Sequence, residues 1–271
     1  MAVTIAVLSL KGGTGKTTTV RTLADVLRRV GMDVLAIDLD PQGNLSDYFD
    51  VPPDASPTVA DVLRGDARTR EAEHDGIIPA TPILAEVERS LSGRMGRELV
   101  LRKALKDARK AHDVILIDCP PALGLLTVNG LVASDWALIS SEAQYFALQG
   151  VEGALEVVGQ AKEYYNDDLE WLGVVLNIAD MRTVHSREAF ASLKEHFGDK
   201  VFDTVIRASI AYAESAERAR SILDHRPDLG ADYLHLADEV LERIAVPAPR
   251  RRLKALIAET APAPASAPAG Q

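Results

Sequence analysis

The segment from Lys11 to Thr18 contains three glycines, two lysines and three threonines, a combination suited to binding phosphate. Glycines let backbone N–H groups converge on phosphate oxygens, and the start of a helix adds partial positive charge. The Lys16 ammonium group can reach the terminal phosphates, and the Thr17 hydroxyl can ligate Mg²⁺. An ordinary glycine-rich turn is disfavoured because Gly-Lys-Thr adds two functional side chains in the right order. The predicted phosphate-binding residues are Lys11, Gly12, Gly13, Thr14, Gly15, Lys16, Thr17 and Thr18.

Aspartates follow two other apolar runs. Asp118 ends the run that begins at Val114, and ligands of open α/β folds bind at the carboxyl edge of the sheet. We therefore predict that Asp118 holds Mg²⁺ through a water molecule; the alternative is an aspartate that caps the following turn. Asp38 and Asp40 stand two residues apart after another run, so they point the same way if the strand persists. A solvated strand end is the alternative for Asp38.

Short apolar runs alternate with helical patterns along the chain, which indicates a parallel sheet covered by helices on both faces. The predicted fold class is α/β, a P-loop NTPase with a doubly wound, mostly parallel sheet. Residues 43 to 80 are interpreted as loops with short helices, and Arg97 to Ala111 as one helix. The predicted strands are Val3 to Leu10, Val34 to Ile37, Val114 to Ile117, Trp136 to Ile139, Leu172 to Leu176 and Val201 to Ile206.

Composition limits the class of protein. The chain has 271 residues, of which 47% are hydrophobic and 26% charged, as is typical of folded globular proteins. The single cysteine, Cys119, excludes an internal disulfide and is interpreted as a small buried hydrophobe rather than a redox centre. The lone cysteine also favours a reducing cytoplasm as the location, and since no run of about 18 apolar residues is present, membrane spanning is disfavoured. With a net charge of −10, any nucleic-acid contact must come from a local basic patch.

The composition changes near the C-terminus to a basic cluster and then to an Ala/Pro-rich stretch. We predict a single ATPase domain over residues 1 to 246 and a disordered tail over residues 247 to 271. Within the tail, Arg250 to Glu259 has three apolar residues at helical spacing beside four cations, as a membrane-binding helix does. Because three apolar residues form a weak anchor, a short terminal helix or a basic addition to DNA binding is preferred to membrane association.

Three motifs together resemble the ParA/MinD group of deviant Walker ATPases, on the ParA (Soj) side. They are the phosphate loop, Asp38-Leu39-Asp40-Pro41-Gln42-Gly43-Asn44 and Ile117-Asp118-Cys119-Pro120-Pro121. Stretches at Gln144 to Gly150 and Asp180 to Thr183 are also similar, so the resemblance runs from about residue 2 to about residue 244. It implies ATP and Mg²⁺ as cofactors and a dimer in which two subunits sandwich two ATP molecules. The extra lysine, here Lys11, would cross to the phosphates of the other subunit, so the active site requires a dimer.

The resemblance also implies roles for single residues. The expected catalytic residues are Lys11, Lys16 and Asp40. The residues expected around Mg²⁺ are Thr17, Asp38 and Asp118. In the family the residue at the Asp40 position orients the attacking water. Arg207 and Ser209 stand at a proline and an asparagine position that lie against adenine in the family, so we expect them to contact the base.

ParA dimers bind DNA nonspecifically through basic residues, because phosphate contacts give affinity without reading sequence. Arg182 matches one such family position. The family's Ile-Pro-Arg-Asn-Val-Arg is replaced here by Ile206 to Ala211, with alanines at both arginine positions. Arg218 and Arg220 follow, and we expect the basic patch to include them. The alternative is a solvated helical face of mixed charge.

The predicted function is that of a ParA-type ATPase that positions or segregates a cargo. An ATP-bound homodimer would bind nonspecific double-stranded DNA of the nucleoid, and a ParB-like or other adaptor protein would stimulate ATP hydrolysis. The predicted location is cytoplasmic and nucleoid-associated, with no membrane partner. Two alternatives stay open: a MinD-like regulator that cycles on a membrane, and a metabolic P-loop enzyme that couples ATP to a small substrate.

Overall fold

Seven parallel strands form a single sheet in the computed structural model, which describes residues 1–144 and 146–260. The strands are β1 Val3–Leu8, β2 Val34–Asp38, β3 Ile77–Ile78, β4 Val114–Asp118, β5 Trp136–Glu142, β6 Glu170–Ala179 and β7 Val201–Arg207. Their order is β3-β2-β4-β1-β5-β6-β7, and every neighbouring pair is parallel. The six predicted strands are confirmed. The two-residue edge strand β3 was not predicted, because two residues show no periodic pattern.

Helices lie on both faces of this sheet. They are α1 Lys16–Arg29, α2 Asn44–Tyr48, α3 Val59–Arg64, α4 Ile83–Leu91, α5 Val100–Ala104, α6 Ala108–Ala111, α7 Leu125–Val132, α8 Ala147–Tyr164, α9 Val184–Phe197, α10 Ala211–Glu217, α11 Ile222–His225, α12 Pro227–Arg243 and α13 Pro247–Thr260. Short 3₁₀ turns occur at Arg97–Leu99 and Gly198–Lys200. The predicted α/β class is therefore confirmed.

The central strands are buried on both faces, which explains why they are continuous apolar runs. Along β1, Ile5 and Val7 pack with α1 and α12 in one core, whereas Ala6 and Leu8 pack with α7 and α8 in the other. Successive side chains point to opposite sides of a strand, so one apolar run supplies both cores. Both cores therefore hold β1, and with it the loop that follows, in a fixed position.

The candidate site residues lie together at the carboxyl ends of the strands, along one edge of the sheet. β1 lies between β4 and β5, so connections from the centre diverge to both sides at this point, where open α/β sheets bind ligands. The register pairs Val7 with Asp118 and Asp38 with Asp118. Two aspartates predicted from separate strand ends are thus side by side.

The prediction of one helix from Arg97 to Ala111 is wrong. The segment is a 3₁₀ turn at Arg97–Leu99 followed by α5 and α6 as separate short helices. The buried Asn129 of α7 explains the interrupted start, because its Nδ2 donates to the Arg97 carbonyl at 2.9 Å. Its Oδ1 accepts from the Leu101 N–H at 3.1 Å. A tertiary contact thus takes backbone groups that a continuous helix would pair internally.

The boundary of the predicted disordered tail is also wrong. Residues 247 to 260 form α13, so the expected terminal helix is present and is longer than the sequence pattern indicated. Leu253 is fully buried against the core that contains α1 and α12. Arg250 forms ion pairs with Asp238 at 2.9 Å and Glu242 at 2.6 Å, both on α12. Part of the basic cluster therefore fastens the helix to the body, while residues 261 to 271 lie outside the described residues.

Candidate nucleotide site

The phosphate loop connects the end of β1 to the start of α1, where Lys16 begins the helix. Gly13 and Gly15 have φ angles of 77° and 84°, in the left-handed region that strains residues with a Cβ. At Gly15 a Cβ would also come within 3.3 Å of the Asn177 side chain. The shape of the loop therefore requires both glycines, and the helix N-terminus behind it favours an anion.

The ammonium group of Lys16 is held inside this loop, and the residue is only 6% exposed. Its Nζ donates to Ser9 Oγ at 3.2 Å and to the Lys11 carbonyl at 3.5 Å. Ser9 Oγ in turn donates to the Lys11 carbonyl at 2.7 Å and accepts from Thr14 Oγ1 at 2.9 Å. Ser9 was not among the predicted site residues. Its position between a strand and a glycine-rich loop could have identified it, because a hydroxyl there can bond the loop.

Thr17 and Asp118 meet at the sheet edge, where Thr17 Oγ1 donates to Asp118 Oδ2 at 2.6 Å. The second carboxylate oxygen, Oδ1, is buried and has no hydrogen-bond partner. Burial, and then the neighbouring Asp38 carboxylate, raise the pKa of Asp118 to about 8. A buried carboxylate with an unused oxygen beside a hydroxyl fits Mg²⁺, whose charge would favour the ionised form.

These two residues would hold Mg²⁺ together with oxygens of the nucleotide. Within the ranges that the structure describes, no group of three or more His, Cys, Asp or Glu side chains could hold a metal. Mg²⁺ bound with few protein ligands and substrate phosphates is the common arrangement in ATPases. The ion would supply neutralisation of phosphate charge.

Asp38 is fully buried beside Asp118, and its oxygens already accept three hydrogen bonds. The donors are the Asp40 N–H at 3.0 Å, the Ser46 N–H at 2.9 Å and Ser46 Oγ at 2.8 Å. Burial nevertheless raises the pKa of Asp38 to about 6. Asp38 therefore lies next to the expected metal position and also holds the loop that carries Asp40.

Asp40 lies on that loop, half-buried, and lines the same cavity as the phosphate loop. Its Oδ1 accepts from the Gln42 N–H at 3.0 Å, and its own N–H is held by Asp38. A carboxylate fixed in this way beside a phosphate site can orient a water for attack on phosphorus.

Lys11 differs from Lys16 in that its side chain is 62% exposed. Its Nζ forms an ion pair with Glu142 Oε2 at 3.0 Å and donates to Gln144 Oε1 at 2.8 Å. Gln144 Nε2 donates to Glu142 Oε1 at 2.6 Å, so the two acceptors are themselves connected. Within one chain Lys11 is thus turned to the end of β5, while Lys16 serves the phosphate loop.

The cavity above the loop has a volume of about 710 Å³ and extends to β7 and α10. Arg207 and Ser209, the residues expected to contact the base, line this cavity. The Arg207 guanidinium, however, forms an ion pair with Asp232 at 2.9 Å and also donates to the Asp228 carbonyl. Stacking of Arg207 on a base would require that pair to break.

Two further residues of this cavity were missed. Asn177, at the end of β6, has a buried Oδ1 without a hydrogen-bond partner, and the Tyr212 hydroxyl is likewise buried and unpartnered. Both line the cavity. Such groups can pair with the polar edge of a base, since leaving them unpaired costs free energy. Asn177 was detectable as a polar residue near the end of an apolar strand, whereas Tyr212 carries no comparable signal.

Comparison with known proteins agrees with this geometry. Residues 2–171 match the AAA domain family. The chain is 38% identical to the sporulation initiation inhibitor protein Soj of Bacillus subtilis, over 87% of this chain and 97% of that protein. It is 37% identical to the chromosome-partitioning ATPase Soj of Thermus thermophilus, over 89% of this chain and 96% of that protein. The chain belongs to the ParA/Soj family of ATPases.

Two solved structures with this fold contain a nucleotide. A Cyanothece McdA variant in complex with ATP superposes with a TM-score of 0.81 at 25% identity, over 90% of this chain and 97% of that one. Cobyrinic acid a,c-diamide synthase from Mycobacterium smegmatis, with an ATP analogue and magnesium, has a TM-score of 0.73. It is 35% identical, over 83% of this chain and 96% of that one.

The basic residues expected to contact DNA in this ParA/Soj-family chain are divided between two places. Arg218 and Arg220 line a cavity of about 580 Å³ with Arg21, Arg28 and Arg29 of α1. Arg182 does not line it; its side chain is 91% exposed and pairs with Asp180 at 2.8 Å. The structure thus brings the first two predicted residues together with α1 arginines that the sequence analysis did not include.

Proposed function

We propose that this ParA/Soj-family ATPase partitions chromosomes or positions another large cargo through an ATP-dependent homodimer. The dimer would bind double-stranded DNA nonspecifically and leave it when a ParB-like or other adaptor stimulates hydrolysis. The protein would then be cytoplasmic and nucleoid-associated, with residues 1 to 246 acting as one ATPase domain and α13 as its terminal helix. The name of the chromosome-partitioning ATPase Soj of Thermus thermophilus supports the partitioning role.

The observation that carries the proposal is the position of Lys11. Lys16 already supplies a cation inside the loop, whereas Lys11 is exposed and turned away from it. A second lysine so placed can act on a nucleotide held by another subunit, as an arginine finger does in trans. This arrangement makes hydrolysis depend on dimerisation.

ATP and Mg²⁺ are the proposed ligands of the cavity. The phosphate loop would bind the phosphates, and Thr17 with Asp118 would hold Mg²⁺. Asp38 and Asp40 lie beside this position, with Asp40 as the proposed orienting residue for the attacking water. Asn177 and Tyr212 join Arg207 and Ser209 as candidates for base contacts.

The resemblance to cobyrinic acid a,c-diamide synthase favours a metabolic enzyme as the second candidate. Such an enzyme would couple ATP to an acid substrate and would need neither DNA nor Lys11 in trans. The MinD-like alternative needs exposed apolar residues on α13, but Leu253 is buried and Leu256 and Ile257 pack against the same core.

The deciding experiment uses an Asp40→Ala variant, in which we expect hydrolysis to be blocked and the ATP dimer to accumulate. Light scattering gives its mass with ATP and with ADP, and retention on nonspecific DNA is measured across a salt series. We expect a dimer and salt-sensitive DNA retention with ATP only. The double variant Asp40→Ala, Lys11→Ala is the control and should stay monomeric.

An ATP-bound monomer that ignores DNA would contradict the proposal and favour the metabolic candidate. An ATP-bound dimer that ignores DNA but sediments with anionic vesicles would favour the MinD-like one. Charge reversal at Arg218 and Arg220, compared with Arg182→Glu, then tests which basic residues contact DNA, since each lost phosphate contact lowers the salt dependence by about one unit.

A further inference from the structure

A basic groove lies on the part of the molecule formed by α3, the segment after α4, and α5. Its cations are Arg64, Arg68, Arg70, Arg94 and Lys103, and Asp107 is the only acidic residue that lines it. The groove has a volume of about 520 Å³, within the range of ligand pockets. The whole chain has a net charge of −10, whereas this concave surface carries five cations, so its local charge is opposite in sign to that of the chain.

Several of these charges have no acidic partner. Arg68 is paired with Glu71 at its Nε, 2.9 Å away, and Arg64 lies 4.0 Å from Asp61. Asp107 is itself paired with Lys110 at 3.1 Å. Arg70, Arg94 and Lys103 form no ion pair with any acidic side chain in residues 1–144 and 146–260. Three exposed cations therefore face one groove without neutralisation.

The floor of the basic groove is apolar. Val62 and Leu63 of α3 and Val100 and Ala104 of α5 line it. Met95, which is 98% exposed, stands on its rim. An apolar floor below a cationic rim fits a ligand that carries both anionic and apolar groups.

One wall of the groove touches the helix that follows the Asp118 strand. Arg97 and Leu101, which adjoin the groove residues Gly96 and Val100, are hydrogen-bonded by the buried Asn129 of α7. From α4, Glu88 Oε1 accepts from the Leu126 N–H at 3.2 Å, close to the start of α7. A ligand in the groove would therefore contact segments that pack directly against α7, the helix that follows the strand ending at Asp118.

We propose that the basic groove docks an acidic segment of a partner protein, with one or two apolar side chains seated on its floor. A peptide segment fits better than DNA, because a duplex presents its phosphates on a convex surface and gains nothing from an apolar floor. This interaction is separate from the DNA contact proposed above and does not depend on it.

The test uses a fluorescein-labelled twelve-residue peptide of the repeat Glu-Glu-Leu and measures fluorescence anisotropy with the full-length protein. We expect binding that weakens with salt and falls at least about tenfold in the double variant Arg94→Glu, Lys103→Glu, because two cations become anions. The matched control is Arg251→Glu with Lys254→Glu, two exposed residues of α13. Thermal melts establish that both variants remain folded, which is expected because all four residues are exposed.

Equal affinity in the groove variant and wild type would overturn the proposal. So would equal binding of a Lys-Lys-Leu peptide, or displacement of the acidic peptide by a DNA duplex that itself loses affinity in the groove variant. Hydrogen exchange provides a second readout: the acidic peptide should slow exchange in residues 62 to 70 and 94 to 104. Protection confined to other segments would also refute it.

Discussion

At the scale of single residues, Lys11 is held by the chain to which it belongs. Its ion pair with Glu142 and its hydrogen bond to Gln144 must both break before it can reach another subunit. An exposed ion pair contributes about 0.2–1 kcal/mol, so in the proposed ATP dimer the cost would be small but would add directly to the free energy of dimerisation. Glu142 is therefore expected to oppose the ATP dimer.

We predict that Glu142→Gln lowers the protein concentration needed for half-maximal ATP-dependent dimerisation about two- to fivefold, because the ion pair is lost. Light scattering or analytical ultracentrifugation measures this midpoint. Glu152→Gln, at an exposed position of α8, is the matched control and should behave as wild type. An unchanged midpoint for Glu142→Gln would show that the pair does not restrain Lys11.

A second prediction at this scale concerns pH. Burial raises the pKa values of Asp38 and Asp118, so the folded protein binds these protons more tightly than the unfolded chain. The folded state therefore loses stability as pH rises from the unfolded pKa of about 4 through the raised values. We therefore expect the melting temperature of Asp118→Asn minus that of wild type to increase as pH rises. The increase should be roughly 3 °C or more between about pH 5.5 and about pH 8.

Differential scanning calorimetry without Mg²⁺ or nucleotide measures this difference, with the exposed Asp66→Asn as control. A difference that stays constant with pH would contradict the raised pKa values. With ADP present, added Mg²⁺ should stabilise wild type more at higher pH, and this added stabilisation should be much smaller in Asp118→Asn, because the ion needs the ionised carboxylate.

At the scale of elements, the loop between β2 and α2 is held by Ser46. Its Oγ donates to Asp38 Oδ2 at 2.8 Å and accepts from the Ala80 N–H at 2.9 Å. One hydroxyl thus connects the end of β2, the start of α2 and the segment after the edge strand β3. The position of Asp40 depends on this connection through Asp38.

We predict that Ser46→Ala lowers the free energy of unfolding by about 1–3 kcal/mol, because the buried Ala80 N–H loses its acceptor. Urea unfolding measures the loss. Ser92→Ala removes an exposed hydroxyl that bonds only within its own turn; it is the control and should change stability by less than about 0.5 kcal/mol. A loss in Ser46→Ala no larger than in the control would contradict the bridging role.

At the scale of the whole molecule, α13 completes one of the two cores. Leu253 is buried in the core built on β1, α1 and α12, and Arg252 donates to the Val30 carbonyl after α1. No helix in residues 1–144 and 146–260 is long and apolar enough to cross a membrane. Because Leu253, Leu256 and Ile257 pack against this core, the apolar side of α13 is used for packing.

We predict that Leu253→Ala costs about 2–5 kcal/mol of unfolding free energy and that wild-type protein does not sediment with anionic vesicles. Lys254→Ala, at the neighbouring exposed position, should leave stability unchanged within about 0.5 kcal/mol. Vesicle binding by wild type that is lost in Leu253→Ala would show instead that α13 detaches and inserts.

The fold was predictable from the sequence because it follows from local patterns, and the proposed phosphate site rests on a local motif. Continuous apolar runs mark strands buried on both faces, and Gly13 and Gly15 are needed for a backbone conformation that depends on the loop alone. Family membership, predicted from these motifs, is likewise confirmed. The strand ends place Asp38 and Asp118 at one edge because parallel strands share a direction.

Only the tertiary structure decided which side chains meet across long sequence distances. Asn129 interrupts the predicted helix from Arg97, Asp232 binds Arg207, and Leu253 draws α13 into the core. The tertiary structure also decided that Lys11 contacts Glu142 and that the buried Oδ1 of Asn177 has no hydrogen-bond partner. Periodicity reports which residues are buried, whereas the partner of a buried or charged group depends on how separate elements pack, and no local pattern carries that information.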